Sequence, residues 1–160
     1  NCLCSRKHRN SYNMNIEKLR EELKVDEGCI NEIYLDHLGY HTFGIGHLIT
    51  NEDKEWGEPV GTPISTKRVN ECFKNDIEIV FKELDRSLSW WRELPEDIQL
   101  VLANMCFNLG ITRLKKFKKF LTALSEKNWE LAATEMMDSR WATQVKQRAV
   151  RLQKRVIKGG

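Results

Sequence analysis

Asp36-His37-Leu38-Gly39-Tyr40-His41-Thr42-Phe43-Gly44-Ile45-Gly46-His47 is the stretch on which the fold turns. Ile30, Ile33 and Tyr34 lead into it, residues 36–39 suit a hairpin loop, and residues 40–46 form the second arm. No other part of the chain carries a strong strand signal. Upstream, Ile16, Leu19 and Leu23 recur at helical spacing and predict a helix over residues 15–26, closed by Gly28 just beyond its end. Downstream, residues 51–61, with Gly57, Pro59 and Gly61, read as loop or short turns. After Pro63 the pattern is helical throughout. Ser65 is a good N-cap for a helix of roughly 20 residues whose stripe is Val69, Cys72, Phe73, Ile77, Val80, Phe81, Leu84 and Leu88. Pro95 opens a helix through Ile98, Val101, Leu102, Met105, Cys106 and Leu109, which Gly110 ends. Shorter helices are expected around residues 114–125, 129–138 and 145–156. The expectation is an α+β, mostly helical chain. A small β-hairpin lobe (14–64) and a helical lobe (90–160) are joined by a long helix (65–89), with a cleft between them.

Composition narrows the function classes. The chain has 160 residues, 41% of them hydrophobic and 31% charged, enough for a core and for life in water. No apolar run approaches the ~20 residues that span a bilayer, so stable membrane insertion is not expected. Residues 1–13 are polar and basic, without the apolar centre of a secretory signal, which points to the cytoplasm. Five cysteines cannot all pair. Cys29, Cys72 and Cys106 sit at positions typical of buried free thiols, while Cys2 and Cys4 have no matching second pair for a metal. Net charge is only +3, but Arg113, Lys115, Lys116, Lys118 and Lys119 cluster, and from Arg140 onward there are basic residues and no acidic ones. Such a surface attracts polyanions, the plain alternative being a solvated helix face. Aromatic-basic nucleic-acid motifs are lacking, so no nucleic-acid partner is expected.

Chemistry concentrates between residues 26 and 47. Glu27 falls at a helix C-terminus, where unpaired carbonyls disfavour a carboxylate and hold an acid protonated for proton donation. Asp36, nine residues on, lies in a polar hairpin where it stays ionised. Two carboxyls with such different surroundings are the equipment of glycoside hydrolysis, although most Asp-Glu-Gly sequences are merely charged helix ends. His37, His41 and His47 invite a metal reading but lack the usual ligand spacing, and no metal is expected there. Trp129 and Trp141 suit the core, and the Trp90-Trp91 pair is open between core and sugar stacking.

Asp26-Glu27-Gly28, Tyr34-Leu35-Asp36 and Gly39-Tyr40-His41-Thr42-Phe43-Gly44-Ile45-Gly46-His47 resemble the N-terminal signature of the T-even phage lysozymes. Residues 103–110, Ser139-Arg140-Trp141 and Gln147-Arg148-Ala149 follow that family's later landmarks in order, from Met14 to about Gly159. The resemblance implies a lysozyme-like fold and a muramidase, an endolysin cutting the β-1,4 bond between N-acetylmuramic acid and N-acetylglucosamine in peptidoglycan. It implies Glu27 as general acid, with Asp36 and Thr42 holding the attacking water in an inverting reaction. It implies Leu48, Phe107, Asn108, Gln144 and Arg148 at the substrate, with Arg148 approaching the acid, and His47 paired structurally with Asp76. It implies no cofactor, a monomer, and host lysis aided by a membrane-perforating holin. A lytic transglycosylase would need neither Asp36 nor Thr42, and a binding module would need none of the three. Residues 51–61 are shorter than in the T-even enzymes, the aromatic C-terminal segment is not present before Gly160, and residues 1–13 have no counterpart. Met14-Asn15-Ile16 looks like a natural start, which makes 1–13 a tail ahead of a lysozyme domain over 14–160.

Overall fold

The structure, a computed structural model, describes residues 15–160. The expectations for Cys2, Cys4 and the tail therefore lie outside the described residues. Asn15 caps the first helix, α1 (Ile16–Glu27), its side chain accepting the Lys18 amide at 3.1 Å. Leu19 and Leu23 are fully buried on the inner face. Gly28 ends the helix at φ +80, donating its amide to the Lys24 carbonyl at 2.9 Å. A residue with a side chain resists that backbone angle, so the stop is sharp and Glu27 is left on the last turn.

Three strands follow, β1 (Ile30–Leu35), β2 (His41–Gly44) and β3 (His47–Leu48), antiparallel in that order. Tyr34 lies opposite Thr42, Leu35 opposite His41, and Thr42 opposite Leu48 on its other side. The second arm is shorter than its pattern predicts: residues 45–46 form a turn, and a third strand follows it. Gly44 and Gly46 take φ +63 and +60, outside the extended region, and so turn the chain back on itself. Ile33, Phe43 and Ile45 are buried. Residues 51–61 are turns, as their glycines and proline suggest.

The helix α2 (Thr66–Ser87) starts at Ser65, whose hydroxyl accepts the Arg68 amide at 3.1 Å. Its buried stripe, from Val69 to Leu84, packs on β2 and β3 and also on the helices that follow. At roughly 1.5–3 kcal/mol per buried large apolar side chain, this stripe ties strand and helix regions into one core. Trp91, in a 3₁₀ turn over Trp91–Glu93, is fully buried and stacks on Phe81 at 5.8 Å, its indole N–H donated to Asp85 at 2.8 Å. It belongs to the core, and only half-buried Trp90 of that pair has an outward part. Helix α3 (Glu96–Leu109) is buried nearly all round and ends at Gly110.

The helix expected around 114–125 divides into α4 (Ile111–Leu114) and α5 (Lys118–Ser125). Phe117, at ψ +58, leaves helical geometry and sets its ring edge-on to Phe120 and Trp141. Packing of one aromatic overrides the local helical preference there. Asn128 caps α6 (Trp129–Met137) and Ser139 caps α7 (Arg140–Val145), a short helix that the periodicity does not foretell, ahead of α8 (Gln147–Lys158). The break is at Lys146, a non-glycine residue at φ +45. α8 packs against α6, α3 and α7. Trp141 is buried and Trp129 half-buried against Gly159. Cys72 and Cys106 are buried free thiols, but Cys29 is exposed. It precedes a strand in which only Ile33 is fully buried, so the sheet covers nothing at that end.

Candidate active site

Glu27 is held on two sides. Arg148, from α8, donates to Oε1 at 2.7 Å across 121 residues of sequence. On the other side Gly46 presses so close that a Cβ there would stand 3.2 Å from both Cβ and Oε2 of Glu27. Glycine at this turn serves a close approach as well as a positive φ. Arg148 is itself buried, with its Nε donating to Asn104 Oδ1 at 3.0 Å. Asn104 is fully buried on α3 and donates to Asp26 at 2.9 Å, and Arg151 donates to the same carboxylate. Asp26, Asn104, Arg148 and Arg151 thus form a satisfied polar network behind the acid. The sequence reading did not give Asp26, Asn104 or Gly46 a role. An asparagine among the apolar residues of α3 was the available signal, since buried polar groups need partners.

Asp36 closes the hairpin. Its Oδ1 accepts the amides of Leu38 and Tyr40, each at 2.9 Å. No donor among the described residues reaches its Oδ2. Thr42 is buried, and its hydroxyl donates to the Tyr40 carbonyl at 2.9 Å, which leaves the oxygen's lone pairs to accept. Tyr34 lies opposite Thr42 on the neighbouring strand, two residues before Asp36. Burial pushes its phenol above the ordinary tyrosine value, and the charges of Glu27 and Asp36 push it further.

The remaining predicted residues are more dispersed. Leu48 is exposed beside Thr42. Phe107 is half-buried against Phe73 at 6.1 Å. Asn108 accepts the Trp141 indole N–H at 2.8 Å, so its carbonyl oxygen is already engaged. Gln144 is exposed on α7, four positions before Arg148.

His47 sits in a larger cluster than a pair. Its Nδ1 lies 2.8 Å from Asp76 and its Nε2 2.9 Å from Asp53. Burial, the largest influence, lowers the imidazole's pKa, but the hydrogen bonds and charges of Asp76 and Asp53 together raise it above the ordinary value. Asp53 also accepts the Thr50 amide at 2.9 Å, and Arg68 grips buried Glu55 at 2.6 and 3.0 Å. This cluster fastens the turns after β3 to α2. Asp53 was missed because a turn aspartate six residues on carries no periodic signal. A separate groove of about 470 Å³ lies in the helical region. Its lining includes five cations, Arg113, Lys116, Lys118, Lys119 and Arg140, against two acids, Glu135 and Asp138, along with Phe117 and Trp141.

Against known proteins, the family model described as phage lysozyme matches residues 24–157. The chain is 34% identical to the probable T4-type lysozyme 2 of Dictyostelium discoideum, over 86% of this chain and 92% of that one. It is 30% identical to the pre-baseplate central spike protein Gp5 of Enterobacteria phage T4, over 88% of this chain and 28% of that one. It is 26% identical to the peptidoglycan hydrolase gp36 of Pseudomonas phage phiKMV, over 86% of this chain and 15% of that one.

Proposed function

The chain belongs to the phage lysozyme family, and from that premise we propose that it is a muramidase-type hydrolase of bacterial peptidoglycan. Glu27 is the general acid. With Oε1 tied to Arg148, Oε2 is the oxygen left to carry the proton to the glycosidic oxygen. Asp36 stabilises the positive charge that develops on the sugar and, through its unengaged Oδ2, takes a proton from a water. Thr42, whose own hydroxyl proton is spent on Tyr40, accepts a hydrogen bond from that water and so turns a lone pair toward the anomeric carbon. Leu48, Phe107, Asn108 and Gln144 border the glycan, and the groove beside Trp141, where five cations outnumber Glu135 and Asp138, draws the anionic wall. The protein acts as a monomer. Among the described residues no helix is long and apolar enough to cross a membrane, and release through a holin-made lesion for host lysis is the setting we propose.

The observation that carries this reading is buried Arg148 clamped on the Glu27 carboxylate at 2.7 Å, with Asp36 and Thr42 set on the hairpin that follows. An inverting hydrolase leaves ~6.5–9.5 Å between its carboxyls for the water, and its first product from a β-linked chain is the α-anomer. NMR of the earliest product, with mass spectrometry of digested peptidoglycan, tests it. A β-anomer would strip Asp36 and Thr42 of their water, and a 1,6-anhydro end would mean a transglycosylase.

A further inference from the structure

We propose that His47, Asp53 and Cys72 form a binding site for a borderline divalent cation, zinc by the chemistry of its donors. One imidazole nitrogen, one carboxylate oxygen and one thiol sulfur, from β3, the following turn and α2, all lie within 4.8 Å of one another. Calcium and magnesium take oxygen donors, whereas this mixed set suits zinc, with a water completing four-coordination. The support around the donors matches the demand. Asp76 holds His47 Nδ1 at 2.8 Å, the arrangement in which a carboxylate fixes the tautomer and aim of a metal-bound histidine. The other nitrogen, Nε2, already faces Asp53 Oδ2 at 2.9 Å. Arg68, the cation nearest the site, is engaged by Glu55 at 2.6 Å and reaches only the other oxygen of Asp53, at 3.4 Å. Its charge is further met by Glu71 at 3.8 Å. Cys72 has no disulfide partner and is almost wholly buried, and its sulfur lies within 4.8 Å of the His47 and Asp53 donors.

Binding is a displacement. The cation takes the place of the proton shared by His47 Nε2 and Asp53 and of the Cys72 thiol proton, giving a neutral imidazole, a carboxylate and a thiolate on the metal. Both protons go to solvent, so the charge brought by the cation leaves as protons. The bound ion would cross-link the turns after β3 to α2, the same elements that the His47 cluster joins through hydrogen bonds.

Cobalt(II) is the spectroscopic probe and zinc the competitor, added to the full chain carrying Cys2→Ser and Cys4→Ser so that the tail cannot supply thiols. One equivalent of cobalt should give a thiolate-to-cobalt charge-transfer band in the near ultraviolet and tetrahedral ligand-field bands, all bleached by zinc. Cys72→Ser should abolish the charge-transfer band. Asp76→Asn should keep it but weaken cobalt binding about 10–100-fold. Zinc should raise the melting temperature reversibly on addition of EDTA. Absence of the band in the tail-substituted chain, or its survival in Cys72→Ser, would overturn the proposal. Should circular dichroism show Cys72→Ser unfolded, Asp53→Asn decides, since unchanged cobalt affinity there also overturns it.

Discussion

Replacing Arg148 by methionine keeps the length and apolar stem but removes the charge and donors, and should cost about 3 kcal/mol of stability. Removing one partner of a buried ion pair typically costs ~3–5 kcal/mol, because the other charge is left without compensation. Two features place this case at the low end. Asp26, with a side chain only 1% exposed, would keep its hydrogen bonds from Arg151 and Asn104. Glu27 is 21% exposed, so water replaces part of what it loses. Against that, fully buried Asn104 would lose the donor at its Oδ1, which keeps the loss from being trivial. For a domain of this size ~2–4 °C per kcal/mol predicts a melting temperature lowered by about 6–12 °C. Activity should fall more steeply than stability below the transition, because an acid free to swing by ~1 Å can cost 10²-fold. Calorimetry of the parent and variant, with turbidity loss of permeabilised cells at a temperature where both are folded, makes the measurement. A melting temperature within about 2 °C of the parent, or lytic activity undiminished, would refute the view that Arg148 both holds the buried network and positions the acid.

Glu27→Gln should fold with the parent's melting temperature within a few degrees and lose essentially all lytic activity, and activity within tenfold of the parent would place the acid elsewhere. Activity on whole cells should fall at high ionic strength, because exposed charges are screened beyond ~10 Å at 0.1 M salt, while hydrolysis of a short neutral oligosaccharide should barely respond. Equal salt sensitivity on both substrates would remove the basic groove as a capture surface. Asp97, at the start of α3, is held below the ordinary carboxylate value chiefly by its hydrogen bonds from Arg155, against the opposing pull of burial. A depressed carboxylate stabilises the fold above its unfolded value near 4 and loses that contribution as pH falls through its lower folded value. The stability gap between parent and Asp97→Asn should therefore be full at pH 5–7, at about 1–2 kcal/mol, and close toward pH 2; a gap independent of pH would dismiss the ion pair.

The sequence by itself determined where the main elements lie and which residues are candidates for the chemistry. Apolar spacing marks α1, α2 and α3, glycines mark the ends of α1 and α3, and Ser65 marks the start of α2, because these signals are local: each rests on contacts within one or two turns. The candidate trio Glu27, Asp36 and Thr42 was equally legible, since it occupies a single short stretch with a recognisable pattern. What only the tertiary structure decided was what surrounds those residues. The grip of Arg148 on Glu27 spans 121 residues, the asparagine behind it comes from a third helix, and the second partner of His47 comes from a turn without periodicity. The same holds for the split of the helix at Phe117 and the exposure of Cys29. In each case the deciding interaction joins positions that local propensity treats as independent, and its strength depends on burial, which a residue acquires only when the rest of the chain closes over it.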